Sequence, residues 1–99
     1  MRLLSLDAYV IDTLLPDLVG HDRSASSFLL WLVLWREAQH GDGCTATLSL
    51  RTLAERTGLS KRSVQGAVLR LKRRRLVHVE QESATAIPVY TPLRPWSRR

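Results

Sequence analysis

Apolar residues recur every three to four positions over much of the N-terminal half, a spacing typical of amphipathic helices. A first helix is predicted from Ser5, which can cap it, to about Leu15, and Pro16 then breaks or restarts it. A second helix is predicted from about Ala25 to Gln39 and ends at the Gly-Asp-Gly turn of residues 41–43. The chain therefore begins with two helices.

Two shorter helices are predicted in the middle of the chain. Thr45–Leu48 is rich in β-branched residues and is compatible with a short strand. Ser49 caps a third helix that extends to about Thr57, and Ser60 caps a fourth that extends to about Arg74.

The pattern changes to alternation after the fourth helix, which predicts a β-hairpin. Leu76–Gln81 and Ala86–Thr91 form its strands, with residues 82–85 between them. Pro88 cannot donate to a strand ladder, so it restricts the second strand to an edge position or a bulge. The predicted order is helix, helix, short strand, helix, helix, hairpin.

The first two helices have unusually wide apolar surfaces. The second helix is apolar all round and must be covered on both sides. The later helices can cover one side, and the first helix, from the same chain or from a partner, can cover the other. We therefore expect one stripe of the first helix to form a homodimer interface. Its residues are Leu3, Leu6, Val10 and Leu14.

Charge is distributed unequally along the 99 residues, whose formal net charge is +6. Residues 1–59 contain five Arg/Lys against seven Asp/Glu, whereas residues 60–99 contain ten against two. This asymmetry indicates an assembly half and a half that faces a polyanion. The length predicts a single domain with an N-terminal helix (1–23), a core (24–91) and a basic tail (92–99).

Several protein classes are disfavoured by single features. Cys44 is the only cysteine, so a disulfide framework is not expected and a reducing compartment fits best. Asp7 and Asp12 interrupt the N-terminal apolar stretch, which argues against a secretory signal peptide. Phe28–Trp35 is apolar but far shorter than the ~20 residues that cross a bilayer. A bacterial cytoplasmic protein without a membrane partner is expected.

Catalytic and metal-binding patterns are not found. His21, His40 and His78 are far apart and lack metal-ligand spacing, and the sequence contains neither a glycine-rich phosphate loop nor a nucleophile elbow. We expect no enzyme activity, no metal and no cofactor. Residues 41–44 favour a turn with a small buried thiol at Cys44. For Trp96, packing on the core and anchoring an interface remain alternatives.

Residues 49–76, SLRTLAERTGLSKRSVQGAVLRLKRRRL, resemble the winged helix-turn-helix domain of bacterial transcription regulators. The similarity extends over roughly Thr45–Thr91. Ala54 is small where the two helices cross, and Gly58 can adopt the positive φ that the turn requires. The resemblance implies a mainly α fold with a small β-hairpin (α+β), here with an N-terminal helical extension.

The fourth helix has one apolar face and one polar face. Its apolar residues, at i, i+3, i+4 and i+7 spacing, must face the core. The opposite face contains Gly66, Leu69 and Arg73 together with candidate base contacts, and Gly66 permits close approach to DNA. Arg can pair with guanine and Gln with adenine in the major groove, and the resemblance implies base contacts on the first two helical turns. The candidates are Lys61, Arg62 and Gln65.

Contacts to the DNA backbone are expected at both ends of this helix. Ser60 and Ser63 can donate to phosphates at its N-terminus. The cations near its C-terminus can bind phosphates or simply compensate the helix dipole. Those predicted to bind phosphates are Arg70, Arg73 and Arg74, the last two within the basic run Lys72–Arg75.

Two features depart from the family pattern. Arg75 stands where a glycine usually closes the turn into the wing, so a bend that is strained or differently shaped is expected. The wing tip carries Glu80 and Glu82, and carboxylates repel the phosphate backbone. Insertion of the wing into the minor groove is therefore not expected, and the tail can supply backbone contacts instead through Arg94, Arg98 and Arg99.

The leading hypothesis is a small homodimeric, sequence-specific regulator that binds double-stranded DNA and has no ligand domain. The alternative is a winged-helix adaptor that binds another protein, through the N-terminal helix, in a replication, phage or transcription complex. A third hypothesis is a nucleoid or plasmid-maintenance protein that binds DNA with little base preference.

Overall fold

The computed structural model describes residues 1–97. Its elements follow the predicted order, which confirms the mainly α fold with a small antiparallel sheet. The phosphate contacts predicted for Arg98 and Arg99 lie outside the described residues. The elements are two π-helical stretches (Val10–Leu14 and Pro16–His21), α1 (Ala25–His40), β1 (Ala46–Thr47), α2 (Leu50–Thr57), α3 (Lys61–Arg73), β2 (Val77–Glu80) and β3 (Val89–Pro92).

The N-terminal segment (residues 1–23) is helical on both sides of Pro16, which was predicted to break or restart the helix. Pro16 is the first residue of the second π-helical stretch, a position where its missing N–H costs little. Ser5 is not a helix cap, because the chain is not helical before Ala8. The Ser5 carbonyl accepts hydrogen bonds from Trp35 Nε1 (2.8 Å) and Gln39 Nε2 (3.0 Å) of α1. The predicted start of this helix was therefore wrong, whereas the restart at Pro16 is confirmed.

The wide turns of the N-terminal segment agree with its apolar spacing. The residues that face the core recur every fourth position, and in an α-helix each such step rotates the stripe by about 40°. A helix with i→i+5 hydrogen bonds turns less per residue and keeps these side chains closer to one face. They are Val10, Leu14 and Leu18.

One hydrophobic cluster connects the N-terminal segment to the rest of the fold. Val10, Leu14 and Leu18 are buried together with Trp31 of α1 and Leu71 of α3. The apolar α1 is thus covered on one side by the helix-turn-helix and on the other by the N-terminal segment of its own chain. Val10 and Leu14 were predicted to bind a second copy, but their burial in this core leaves them unavailable on the surface.

The sheet has three strands in the order β1-β3-β2. Ala46 pairs with Tyr90, and Tyr90 pairs on its other side with Val79. The hairpin is confirmed, but the prediction of an edge position for its second strand is wrong. Pro88 lies one residue before β3 and therefore does not interrupt the ladder.

The turn after α1 is held by a single carboxylate. Asp42 accepts hydrogen bonds from the backbone N–H groups of Cys44 (2.8 Å) and Thr45 (2.7 Å) and from the Thr45 hydroxyl (2.7 Å). The bonds from Thr45 and Cys44 lower the pKa of Asp42 to about 2. The predicted turn is confirmed, but Cys44 is exposed rather than buried.

The described end of the tail packs against the N-terminal segment and α1. Asp7 accepts hydrogen bonds from Trp96 Nε1 (2.8 Å) and the Arg94 guanidinium (3.0 Å). Trp96 stacks on Tyr9 with the ring centroids 4.7 Å apart, and Arg94 lies over the ring of Trp35. Trp96 is thus part of the intramolecular packing, and Arg94 is engaged within the chain. We call these five residues the terminal clasp.

Candidate nucleic-acid interface

The helix-turn-helix is formed by local hydrogen bonds that its sequence predicts. The Ser49 hydroxyl accepts from Thr52 N–H (3.1 Å) at the start of α2, and the Ser60 hydroxyl accepts from Ser63 N–H (3.0 Å) at the start of α3. Gly58 ends α2 with φ of 77°, and its N–H donates to Ala54 O (2.9 Å). These caps and this left-handed glycine fix both ends of the turn.

The core-facing residues of α3 hold the helix against the rest of the domain. Val64, Ala67 and Leu71 are buried and Val68 is half-buried, so the predicted inner face is confirmed. The predicted outer face of α3 is exposed to solvent. The exposed residues are Lys61, Arg62, Gln65, Gly66, Leu69 and Arg73.

Gly66 has no packing role within this chain. A Cβ atom placed at this residue would meet nothing within 4 Å, and its φ is not in the left-handed region. A glycine inside a helix lowers stability by roughly 0.5–1 kcal/mol relative to alanine. The fold therefore gives no reason for glycine here, whereas close approach of an external partner does.

The two serines at the start of α3 are both exposed, but their hydroxyls differ in availability. Ser60 accepts the capping bond and donates its own proton to Ser63 Oγ at 3.0 Å. Ser63 retains a hydroxyl proton for a phosphate oxygen. Ser60 thus serves first as a cap, and Ser63 is the better phosphate donor of the two.

Two of the predicted phosphate-binding cations form ion pairs with the N-terminal segment. Arg74 contacts both Asp17 and Asp22, with Nε 3.2 Å from Asp22 Oδ2, and Arg70 lies 3.6 Å from the same oxygen. A hydrogen bond from His21 and these guanidinium groups hold the pKa of Asp22 below its ordinary value. This contact could not be predicted from the sequence, because Asp17 and Arg74 are 57 residues apart. We call this cluster of Asp17, His21, Asp22, Arg70 and Arg74 the acidic junction.

The remaining cations at the end of α3 face solvent. Lys72, Arg73 and Arg75 are exposed, and within residues 1–97 none of them has a carboxylate within the 4.0 Å of an ion pair. In the sequence, Lys72–Arg75 forms one continuous basic run. The structure divides it into residues held by the acidic junction and residues open to an anion.

Arg75 forms the bend between α3 and the wing in a left-handed conformation. Its φ is 56°, its N–H donates to Lys72 O (3.0 Å), and the N–H of Leu76 donates to Leu71 O (2.8 Å). This is a Schellman motif with arginine at the position that glycine usually occupies. The strain predicted from the missing glycine is therefore present.

The wing, formed by β2, β3 and their connection, lies beside the outer face of α3. Gln81 closes the connection by donating to Ala84 O (3.3 Å) and Ala86 O (2.7 Å). A groove of about 680 Å³ separates this connection from α3 and is lined by Gln65 and Leu69 on the helix side. Glu80 and Glu82 are exposed near the wing tip, as the sequence indicated.

One cluster has the residue types of a cation site. Ligand atoms of Asp17, His21 and Asp22 lie within 4.8 Å of one another. Arg74 and Arg70 already balance these carboxylates, and their positive charge opposes a metal ion at the same oxygens. The cluster is best described as the acidic junction.

These features define a winged helix-turn-helix protein. The chain belongs to the helix-turn-helix domain family, whose family model matches residues 24–77. A domain of this kind indicates DNA as the partner. No curated protein and no solved structure matches the chain. Within residues 1–97, no helix combines the length and the apolar composition needed to cross a membrane.

Proposed function

We propose that this protein is a small homodimeric transcription regulator that binds specific double-stranded DNA with α3 in the major groove. The observation that carries the proposal is the outer face of α3, where Arg62 and Gln65 are both exposed within the first two turns of the helix. Both side chains can pair with base edges, and Gly66 beside them leaves space for close approach. Lys61 extends the same face.

Exposed cations and the helix N-terminus provide the backbone contacts in this proposal. Arg73 and Lys72 are open to phosphates at one end of α3, and Ser63 donates at the other. Arg70 and Arg74 contribute less than the sequence suggested, because the acidic junction already holds them. Binding therefore depends on fewer cations than the basic run contains.

The proposed dimer uses the apolar residues that the fold leaves on the surface of the N-terminal segment. Leu3 is 90% exposed, Ile11 51% and Leu4 44%, and a second copy of the same surface would cover them. Two recognition helices related by a two-fold axis would contact half-sites centred about 10–10.5 base pairs apart, or a multiple of that.

Selection from random duplex DNA, followed by mobility-shift titration at several salt concentrations, tests the proposal. Tight binding to one palindromic sequence, with affinity that falls steeply as salt rises, is expected. Arg62→Ala and Gln65→Ala should each relax base preference. Arg36→Ala, which removes one charge from α1, is the control and should keep the preference. No binding at low salt would reject the function, and unchanged preference in Arg62→Ala would reject this face.

Gly66→Ala distinguishes the effect of this residue on stability from its effect on DNA binding. The variant should raise the free energy of unfolding by roughly 0.5–1 kcal/mol, because alanine favours a helix. It should weaken DNA binding, because the new methyl group occupies the space needed for close approach. A variant that is more stable and binds DNA equally well would show that this part of α3 does not approach the bases.

A protein-binding adaptor is the second candidate function. The exposed acidic side chains of the wing, Glu80 and Glu82, and the paired state of Arg70 and Arg74 favour it, since both reduce the attraction to phosphates. Binding to DNA with a salt slope but without base preference would instead favour the nucleoid or plasmid-maintenance hypothesis.

A further inference from the structure

The recognition helix has one large apolar side chain on its outer face. Leu69 is 53% exposed, although the next residues toward the core, Val68 and Leu71, are half-buried and buried. It follows Gln65 by four residues, so the two side chains lie one turn apart on the same face. The polar composition of this face does not account for a leucine.

Leu69 borders a groove with an uncharged lining, although Arg73 lies one turn further along the same face of α3. The groove between α3 and the wing contains no Asp, Glu, Lys or Arg among its lining residues. Its wing side contains the apolar side chain of Ile87, itself 57% exposed, together with the uncharged polar side chains of Gln81 and Thr85. A phosphate would find no cation in this groove, whereas an uncharged group with an apolar edge would fit.

The groove continues directly from the candidate base-contacting face, because Gln65 lines it as well. Four helical residues span about 6 Å, which corresponds to about two base-pair steps along the duplex. Thymine is the base that presents a methyl group in the major groove, beside its O4 acceptor. The uncharged groove can therefore accept the methyl group of a thymine that lies one or two base pairs from the base pair contacted by Gln65.

We propose that Leu69, together with Ile87 of the wing connection, forms a subsite for the 5-methyl group of a thymine in the DNA target. This inference rests on the proposed function and deepens it, since it assigns a specificity role to Leu69. It also gives the wing a role that does not require basic residues. The acidic tip of the wing remains outside the DNA grooves, while Ile87 of the wing connection faces the thymine.

Replacement of thymine by deoxyuridine tests the subsite, because it removes only the methyl group. In the selected site, each thymine is replaced in turn and the Kd is measured by fluorescence anisotropy with wild type and Leu69→Ala. At one position of each half-site, deoxyuridine should weaken wild-type binding about fourfold, the equivalent of one buried methyl group. Leu69→Ala should bind both duplexes equally at that position.

Leu29→Ala is the matched control, since Leu29 is an exposed leucine of α1 outside the interface. This variant should keep the full methyl dependence, and thermal unfolding checks that Leu69→Ala is folded. Unchanged affinity at every deoxyuridine position, a selected site without thymine, or persistent methyl dependence in Leu69→Ala would overturn the subsite while the DNA-binding function stands. Failure to bind any duplex would overturn both.

Discussion

Arg75 has a backbone conformation that lowers local stability. A left-handed backbone costs a side chain with a Cβ atom roughly 1–2 kcal/mol, and glycine avoids this cost. The Schellman hydrogen bonds hold Arg75 in that conformation nevertheless. An exposed cation at the exact junction of recognition helix and wing is the property that glycine would lose.

Two substitutions at this position separate strain from charge. Arg75→Gly and Arg75→Ala both remove the guanidinium, but only glycine relieves the backbone. We expect Arg75→Gly to be about 1 kcal/mol more stable to denaturant than Arg75→Ala. Both should lose the same amount of DNA affinity. Equal stability of the two variants would show that the bend is unstrained.

At the scale of elements, the acidic junction connects the N-terminal segment to α3 through ion pairs. The Asp22 side chain is only 6% exposed and faces both Arg70 and Arg74. The junction stabilises the packing of the two elements, and in the proposed DNA complex it would compete with phosphates for the same guanidinium groups.

Neutralising the junction should therefore change stability and DNA binding in opposite directions. Asp22→Asn should lower the free energy of unfolding by up to about 1 kcal/mol, because it removes the charge that pairs with Arg70 and Arg74. It should also tighten DNA binding and steepen the salt dependence, because Arg70 and Arg74 become available to phosphates.

Asp12→Asn is the control for the junction, since it removes the same charge from an exposed position of the same segment. It should leave the salt slope close to that of wild type. Titrations of the three proteins at matched salt concentrations measure the effect. Identical slopes for Asp22→Asn and Asp12→Asn would mean that the junction does not compete with DNA.

The terminal clasp makes stability depend on acid pH. The hydrogen bond from Trp96, followed by the hydrogen bond and charge of Arg94, holds the pKa of Asp7 below its ordinary value. A carboxylate with a lowered pKa contributes stability above its unfolded pKa of about 3.9 and loses it as the pH falls through the folded value. The stability that the Asp7 carboxylate contributes should thus be complete at neutral pH. It should be lost as the pH falls from about 4 through the lowered pKa of Asp7.

Urea unfolding between pH 7 and pH 2 measures this contribution. Asp7→Asn should be less stable than wild type at neutral pH, and the difference should shrink as the pH falls below about 4. Trp96→Phe keeps an aromatic ring but removes the main donor, so its stability should depend less on pH over the same interval. A constant difference between wild type and Asp7→Asn at all pH values would contradict the assignment.

At the scale of the whole molecule, the apolar N-terminal segment faces both inward and outward. Its buried residues complete the core of its own chain, whereas Leu3, Leu4 and Ile11 remain exposed. A domain of this size gains stability when a partner covers such a surface. The proposed dimer therefore depends on the residues that the fold does not use.

Ile11→Lys should abolish the dimer, because a buried lysine in the interface is costly. Light scattering is expected to give the monomer mass for this variant and the dimer mass for wild type. Thr13→Lys adds the same charge at an exposed polar position of the same segment and should remain dimeric. A monomeric wild type, or a dimeric Ile11→Lys, would reject this interface.

The sequence by itself determined the features that depend on neighbours within about four residues. The capping serines, the left-handed Gly58, the strained Arg75 and the two faces of α3 all follow from local hydrogen bonds and helical periodicity. These features define the helix-turn-helix and its outer face. They could be predicted because the groups that form them lie close together in the sequence.

Tertiary structure alone decided which distant groups meet. An apolar stripe can be covered by its own chain or by a second copy, and the burial of Val10 and Leu14 settled this for half of the stripe. A guanidinium can bind a carboxylate or a phosphate, and the fold placed Arg74 beside Asp17 and Asp22. Hydrophobic and charged groups do not encode their partners in sequence spacing, since both interactions depend on proximity in space.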